Sequence, residues 1–295
     1  SSKTRERNLI HSNLISGKTN ILVGTHAILE DVVKFKNLGL SIIDEQHRFG
    51  VAQRAKLWKK NNPAPHILVM TATPIPRTLA MSLYGDLDIS YIKELPPGRI
   101  TTKTVHKYDR NRLSVFKFLK DQINKGRQVY LVYPLINESE KLDYKDLMDG
   151  YESIVREFPR PDFQVSIVHG KMKAKDKDYE MKRFINQETQ ILVSTTVIEV
   201  GVNVPNASVM VIESAERFGL SQLHQLRGRV GRGNDESYCV LMTKDKLSED
   251  SKLRIETMVK VSDGFKLAEV DLKQKDLETI IKKQKGFIAW GGGCN

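Results

Sequence analysis

The chain has 295 residues, which is enough for about two ordinary domains. Hydrophobic residues make up 40% of it and charged residues 28%, with only 10 prolines, a composition that excludes a disordered or fibrous protein. Lysine and arginine exceed aspartate and glutamate by 47 to 36, giving a net charge of +11. This excess favours a polyanionic partner such as nucleic acid, with a solvated basic surface as the alternative.

The two cysteines, Cys239 and Cys294, are too few for a disulfide framework, and neither lies at the spacing of zinc ligands. The N-terminal stretch is polar and basic, and no apolar run approaches the ~18 to 20 residues that span a bilayer. We therefore expect a cytoplasmic protein that is neither secreted nor inserted in a membrane.

Eight short apolar runs follow one another along the chain. They are rich in valine and isoleucine and lack period-two alternation, which is typical of parallel strands covered on both faces. Amphipathic stretches at 109–126, closed by Gly126, and at 173–188 predict intervening helices. The alternation predicts an α/β fold of doubly wound parallel sheets. The runs occupy residues 21–25, 40–44, 66–73, 128–136, 163–170, 190–196, 208–214 and 237–243.

The segment "ELPPGRITTKTV" (94–105) interrupts this pattern with two prolines and a glycine, followed by a β-prone tail. We interpret it as an interdomain linker. It leaves about three strands before it and five after it, so the first domain (1–98) is expected to be incomplete and the second (99–245) whole. Residues 246–295 are predicted to form a charged helical segment and an irregular tail.

Two adjacent carboxylates, Asp44 and Glu45, end the apolar run in "LSIIDEQHRFG" (40–50). The carboxyl edge of a parallel sheet is where α/β proteins bind ligands. In nucleotide-hydrolysing folds an aspartate there holds Mg²⁺, and the neighbouring glutamate orients and polarises the attacking water. Taken alone, the pair also fits a strand end followed by an N-cap aspartate.

Hydroxyl residues end two further apolar runs. In "MTATPIPRTL" (70–79), Thr71 and Thr73 are placed to hydrogen-bond to the acid pair, although the same string also fits a turn restricted by its prolines. In "STTVIEVGVNVPNA" (194–207), a strand ends with hydroxyls and backbone N–H groups at a helix start, which suits a phosphate.

The stretch "QLHQLRGRVGRG" (222–233) places Gln225, Arg229 and Arg232 in the spacing Q-x-x-G-R-x-G-R. Arginines three apart lie on one face of a helix. Two guanidinium groups can neutralise the charge that develops on a transferring γ-phosphoryl group. The alternative is a plain basic patch on DNA.

These four strings, in this order, resemble motifs II, III, V and VI of the superfamily 2 helicases. More narrowly, "DEQHRFGVAQR", "MTATPIPRTLAMSLYGDLD", "ELPPGR" and "SDGFKLAEVDL" resemble the RecG family of bacterial ATP-dependent DNA helicases, from about residue 3 to residue 273. The nearest rival is the Mfd family of transcription-repair coupling factors, which is typically "DEEQRFG" at motif II. The pair Gln46-His47 favours the RecG family.

The resemblance implies two RecA-like parallel-sheet domains, the first incomplete, followed by a short helical segment, with ATP and Mg²⁺ as cofactors. By it, Asp44 would coordinate Mg²⁺ and Glu45 would position the hydrolytic water. Arg229 and Arg232 would act as arginine fingers from the second domain. The residues that would link or sense the nucleotide site across the cleft are Gln46, His47, Glu199, Gly201 and Gln225.

The resemblance also implies a path for DNA, because "VGTHAIL" (23–29) is similar to motif Ib. The implied activity is that of a helicase or translocase that remodels branched double-stranded DNA, such as stalled forks and Holliday junctions, in recombination and repair. Single-stranded-DNA-binding protein is a further predicted partner. The residues expected to contact DNA are Thr25, His26, His169, Lys171, Thr195 and Thr196.

The chain departs from the family pattern in two places. It has no G-x-x-x-x-G-K-[ST] phosphate loop, since "SGKTN" (16–20) lacks the first glycine and a preceding predicted strand. We therefore expect it to begin inside the first motor domain and to have little or no ATPase activity by itself. After residue 273, "QKDLETIIKKQKG" stands where the family continues with a segment like "LRGPGD". The rival functions are an Mfd-like translocase and a non-catalytic DNA-binding protein that has lost its phosphate loop.

Overall fold

The computed structural model forms two compact units, Ser1–Ala72 and Thr73–Asn295. The predicted domain boundaries stay predictions, and the first of them, at 98, lies outside the described residues. The structure describes residues 4–44, 60–71, 88, 90–92, 94, 100–134, 140–195, 204–231, 233 and 235–273.

The first unit contains helix α1 (Thr4–Ser16), a 3₁₀ turn (His26–Leu29) and two parallel strands, β1 (Leu40–Ile43) and β2 (His66–Val69). Both strands were predicted from their apolar runs. Their inward side chains pack on the 3₁₀ turn in a small core of Leu29, Ile43, Ile67 and Val69.

The strand predicted at 21–25 is wrong, because these residues have no strand structure. Ile21 and Val23 are 81% and 90% exposed. An apolar run forms a strand only where a neighbouring strand accepts its hydrogen bonds and a core covers its side chains. Among the residues that the structure describes in this unit, β1 and β2 pair with each other and neither pairs with 21–25.

The second unit contains a six-stranded, fully parallel sheet in the order β3-β8-β7-β4-β6-β5. Strand β4 lies inside it, and its side chains alternate between two separate cores: Val129 and Leu131 face one, and Tyr130 and Val132 face the other. Burial on both faces explains the unbroken apolar runs. The strands are β3 (Lys103–Tyr108), β4 (Gln128–Tyr133), β5 (Val165–Val168), β6 (Ile191–Thr195), β7 (Ala207–Ile212) and β8 (Tyr238–Thr243).

Helices cover both faces of this sheet, as the doubly wound prediction requires. Side chains of α2 (Arg112–Asn124) and α3 (Glu140–Glu157) pack in one core. Those of α4 (Ala174–Ile185), α5 (Leu220–Arg227) and α6 (Glu249–Lys260) pack in the other. The helix predicted at 109–126 begins as a 3₁₀ turn (Asp109–Asn111) and ends at Asn124. Gly126, two residues later, has φ +80°.

The sequence predicted five strands in this sheet, and the structure has six. The additional strand, β3, forms from the β-prone tail of the segment interpreted as a linker, and it pairs in parallel with β8 at the sheet edge. Its residues alternate between exposed and half-buried. Because this edge strand is not buried on both faces, it lacks the continuous apolar run that marks the other strands.

A second helical stretch at 264–273 follows α6. The predicted helical segment after the second sheet is therefore confirmed up to residue 273. The tail beyond 273 lies outside the described residues.

Candidate functional site

The first unit places Asp44 at the carboxyl end of β1. Because β1 and β2 are parallel, with Ile43 opposite Val69, both strands end at the same edge. The backbone N–H of Met70 donates to the carbonyl oxygen of Ile43 at 2.8 Å, which continues the pairing past both strands. Asp44 is exposed, and Thr71 follows β2 at this edge. Parts of motifs II and III therefore lie together at the carboxyl end of the parallel strands, where α/β proteins bind ligands.

Thr25 and His26 lie at the start of the 3₁₀ turn in the same unit. Thr25 is its N-cap residue, with an extended backbone and no capping hydrogen bond from its side chain. Both side chains are exposed. The motif Ib residues are therefore accessible to a ligand, but their proposed DNA contact stays a prediction.

The "SGKTN" stretch is not a phosphate loop in this structure. Helix α1 precedes it, whereas a phosphate loop follows a strand. Gly17 has φ +77°, and the backbone N–H of Lys18 donates to the carbonyl oxygen of Asn13 at 2.9 Å. Residues 16–20 thus end a helix in a left-handed turn, as glycine allows.

At the edge of the second sheet, His169 and Lys171 follow β5 next to the end of β6. The strands are parallel, with Val168 opposite Ser194, so His169 continues alongside Thr195. Burial, and then the charges of Lys177 and Lys171, lower the pKa of His169. At neutral pH the imidazole is therefore uncharged, and a phosphate here would be attracted by the exposed Lys171.

Ser194 and Thr195 are buried at the end of β6, at 1% and 4% exposure. Their hydroxyl oxygens have no hydrogen-bond partner among the described residues. A buried hydroxyl without a partner costs free energy. The end of β6 is thus a place where an additional donor or acceptor would be stabilising, although Thr195 is not an exposed DNA contact in this structure.

The helix that carries Gln225 is α5, which ends at Arg227 with Gly228 as its C-cap. Arg229 therefore lies in the turn beyond the helix, with its N–H donating to the carbonyl oxygen of Leu226 at 3.0 Å. Gly231 then has φ +76°. The prediction that Arg229 and Arg232 share one helical face is wrong, because α5 ends at Arg227, before the first of these arginines.

Arg112 and Glu213 form an ion pair that was not predicted from the sequence. Arg112 Nη1 and Nη2 donate to the two carboxylate oxygens of Glu213 at 2.6 and 2.9 Å, and Nη2 also donates to Asp109 at 2.8 Å. Glu213 follows β7, and its side chain is 5% exposed. The hydrogen bond that Arg112 donates to Glu213 raises the pKa of Arg112. Glu213 follows an apolar run and is buried in an ion pair. Asp44 also follows an apolar run but is exposed.

Seven predicted site residues lie outside the described residues. No cluster of three or more His, Cys, Asp or Glu side chains is placed to hold a metal ion within the described ranges. In the same part of the chain, no helix is both long and apolar enough to cross a membrane. The seven residues are Glu45, Gln46, His47, Thr196, Glu199, Gly201 and Arg232.

Two family models match the chain. The model for DEAD/DEAH box helicases matches residues 1–82, and the model for the helicase conserved C-terminal domain matches residues 114–234. Each match contains motifs at the strand ends described above.

Curated relatives match over nearly the whole chain. The ATP-dependent DNA helicase RecG of Synechocystis sp. is 52% identical over 288 residues, which are 97% of this chain and 34% of the relative. The RecG of Aquifex aeolicus is 51% identical over 290 residues, 97% of this chain and 36% of the relative. A solved structure of RecG bound to a three-way DNA junction has a TM-score of 0.73 and 43% identity, covering 92% of this chain and 35% of that one. The chain thus spans about a third of the length of these relatives.

Proposed function

Because this chain is a RecG-like superfamily 2 helicase sequence over nearly its whole length, we propose that it forms the motor part of an ATP-dependent DNA translocase. The motor would remodel branched double-stranded DNA, such as stalled forks and Holliday junctions, in recombination and repair. The observation that carries this proposal is about 50% identity to RecG helicases across 97% of the chain. The two parallel-sheet units, with motif residues at their carboxyl edges, support it.

In the nucleotide site, Asp44 would hold Mg²⁺ and Glu45 would position the attacking water. The exposed carboxylate of Asp44 fits this role, because Mg²⁺ takes oxygen ligands and usually needs only one or two protein carboxylates beside the nucleotide phosphates. When bound, Mg²⁺ supplies positive charge at the phosphate oxygens. Gln46 and His47 would link this site to the second domain.

Residues of the second RecA-like domain would also act on the nucleotide. Arg229 and Arg232 would neutralise charge on the transferring phosphoryl group, as arginine fingers do. The position of Arg229 in the turn after α5, where it is half-buried rather than fully buried, is compatible with this role. Gln225 and Glu199 would sense the nucleotide and DNA, and Gly201 would contribute to nucleotide binding.

We propose that DNA contacts residues of motif Ib and residues at the ends of β5 and β6. Lys171 would contact a phosphate electrostatically, and the net charge of +11 supports a polyanionic partner. Such contacts fix position without reading sequence, which suits a translocase that acts on any sequence. The other residues proposed along the DNA path are Thr25, His26, His169, Thr195 and Thr196.

The proposed motor would act in the cytoplasm, where bacterial DNA lies, with single-stranded-DNA-binding protein as a predicted partner. A strand-separation assay tests the proposal. The full-length gene product should separate the arms of a forked duplex in the presence of ATP and Mg²⁺ and should leave a linear duplex of the same length intact. Equal action on both substrates, or no ATP requirement, would contradict it.

A further inference from the structure

Arg227, the last residue of α5, is buried at 6% exposure although it carries a guanidinium group. Its Nη1 donates to the backbone carbonyl oxygens of Met258 and Val261, each at 3.0 Å. Its Nη2 donates to the carbonyl oxygen of Ser262 at 3.0 Å and lies 3.0 Å from Nδ1 of His224. One side chain thus ties the motif VI helix to a backbone segment more than thirty residues further along.

The segment that Arg227 holds is the C-terminal end of α6. The last carbonyl groups of a helix have no partner inside the helix, and a positive charge there is stabilising. The N–H of Val261 donates to Thr257, so the carbonyl of Met258 is the next one left for another donor. Arg227 supplies that donor together with the charge.

The next helical stretch begins directly after the residues that Arg227 holds. The side chain of Asp263 accepts a hydrogen bond from the N–H of Phe265 at 2.8 Å, which caps the stretch at 264–273. Leu267, one turn later, is 2% exposed and packs in the same core as α5. Arg227 therefore contacts the connection between two helices.

We propose that Arg227 is a positioning residue that couples motif VI to the two helices after the second sheet. Arg229, which is proposed to touch the nucleotide, lies two residues beyond Arg227 on the same short segment. A displacement of Arg229 on nucleotide binding or release would move Arg227, and with it the turn at 261–263. This coupling rests on the proposed function and adds to it the route from nucleotide to helical segment.

Lysine cannot replace arginine in this role. A guanidinium group donates from several nitrogens held in one plane, whereas an ammonium group is a single point charge. Arg227→Lys keeps the charge at the end of α6 but cannot reach Met258, Val261 and Ser262 together. The variant therefore separates the coupling from the mere presence of a cation.

Hydrogen exchange on the 295-residue chain tests the physical link without requiring any activity. In Arg227→Lys, the amides of 258–268 should exchange about tenfold faster, because hydrogen bonds from a charged donor are lost. The matched control is Arg183→Lys, which removes a half-buried arginine of α4 paired with Glu180 at 3.3 Å. In this control the exchange rates of the amides of 258–268 should stay within about twofold of those in the unaltered chain. Unchanged exchange at 258–268 in Arg227→Lys, or equal acceleration throughout the sheet, would overturn the proposal.

Coupling itself is measured in the full-length gene product as ATP hydrolysed per forked duplex separated. Arg227→Lys should raise this ratio at least about tenfold while DNA-stimulated hydrolysis stays within about threefold, as expected when a few charged hydrogen bonds are lost from the linkage. A parallel loss of both activities would show a structural role only and would overturn the coupling. Should Arg227→Lys not fold, Asp263→Ala loosens the same turn and should raise the ratio as well. If the unaltered protein hydrolyses no ATP with forked DNA, the proposed function fails, and the exchange experiment still decides whether the link exists.

Discussion

Gly231 lies between the two proposed arginine fingers, and replacing it with alanine tests how the chain is held there. Its φ of +76° is in the left-handed region that favours glycine. A Cβ at this position would lie 2.6 Å from Ser237 Oγ and 2.8 Å from Thr102 Oγ1. These two hydroxyls are hydrogen-bonded to each other at 2.9 Å, so neither can move away without losing its partner.

Gly126 provides a matched control for this substitution. It has nearly the same φ, +80°, but a Cβ there would have no other atom within 4 Å. Gly126→Ala should therefore lower the free energy of unfolding only by the cost of placing alanine in the left-handed region, about 1 kcal/mol. Gly231→Ala should lose this and a further ~1 to 3 kcal/mol from overpacking.

Guanidinium-induced unfolding of the 295-residue chain, followed by circular dichroism, measures both losses. We predict that Gly231→Ala shifts the unfolding midpoint at least twice as far as Gly126→Ala. Equal shifts would refute this prediction, because they would mean that the two hydroxyl groups move aside at no cost in free energy.

Three further substitutions test other parts of the second unit. Arg112→Met should lower the unfolding free energy by about 2 to 4 kcal/mol in denaturant unfolding, since it leaves the carboxylate of Glu213 buried without its partner. Burial, followed by the charge of Arg227, lowers the pKa of His224 from 6.5 to about 4, so the unfolded chain binds more protons between these values and stability should fall by about 1 to 2 kcal/mol as the pH drops through them. His224→Asn, which does not titrate, should remove that part of the pH dependence. Lys171→Ala should weaken duplex binding and reduce the slope of log affinity against log salt by about one.

Neighbouring residues give the controls. Arg110→Met removes an exposed arginine paired with Asp245 at 3.5 Å and should change stability by less than about 0.5 kcal/mol. A loss as large as that of Arg112→Met would contradict the role given to burial. Lys125→Ala removes an exposed lysine at the opposite edge of the sheet and should leave the salt slope unchanged. An unaltered acid dependence in His224→Asn would mean that other groups cause it.

The parallel sheet could be predicted because its strands are covered on both sides. In β4, Val129 to Val132 alternate between two cores, so every position is apolar and the run is easily seen. The position of Asp44 could be predicted from the same signal, because the end of an apolar run marks the carboxyl end of a strand. The apolar residues at 21–25 carry that signal as well, and the structure leaves Ile21 and Val23 exposed. Hydrophobicity alone does not supply a pairing partner.

What the sequence could not predict depends on contacts between distant segments. Glu213 follows an apolar run as Asp44 does, and only the position of Arg112, about a hundred residues earlier, makes it a structural ion pair. In the sequence, Arg227 is one of several arginines in a basic motif, yet it donates to backbone carbonyls in the last turn of α6 and just after it. Backbone acceptors leave no trace in side-chain identity. The helical-face argument for Arg229 failed because local glycine geometry overrode a spacing rule.

Phosphate release shows whether Asp44 and Glu45 belong to an ATP-hydrolysing motor driven along branched DNA. The full-length gene product should release phosphate from ATP when forked DNA is present, and Glu45→Gln should abolish this release while leaving DNA binding intact. Residues 1–295 alone should release little or none. Phosphate release that persists in Glu45→Gln would show that Glu45 does not position the attacking water. Turnover by residues 1–295 alone that matches the full-length protein would show that these residues already form a complete ATP site.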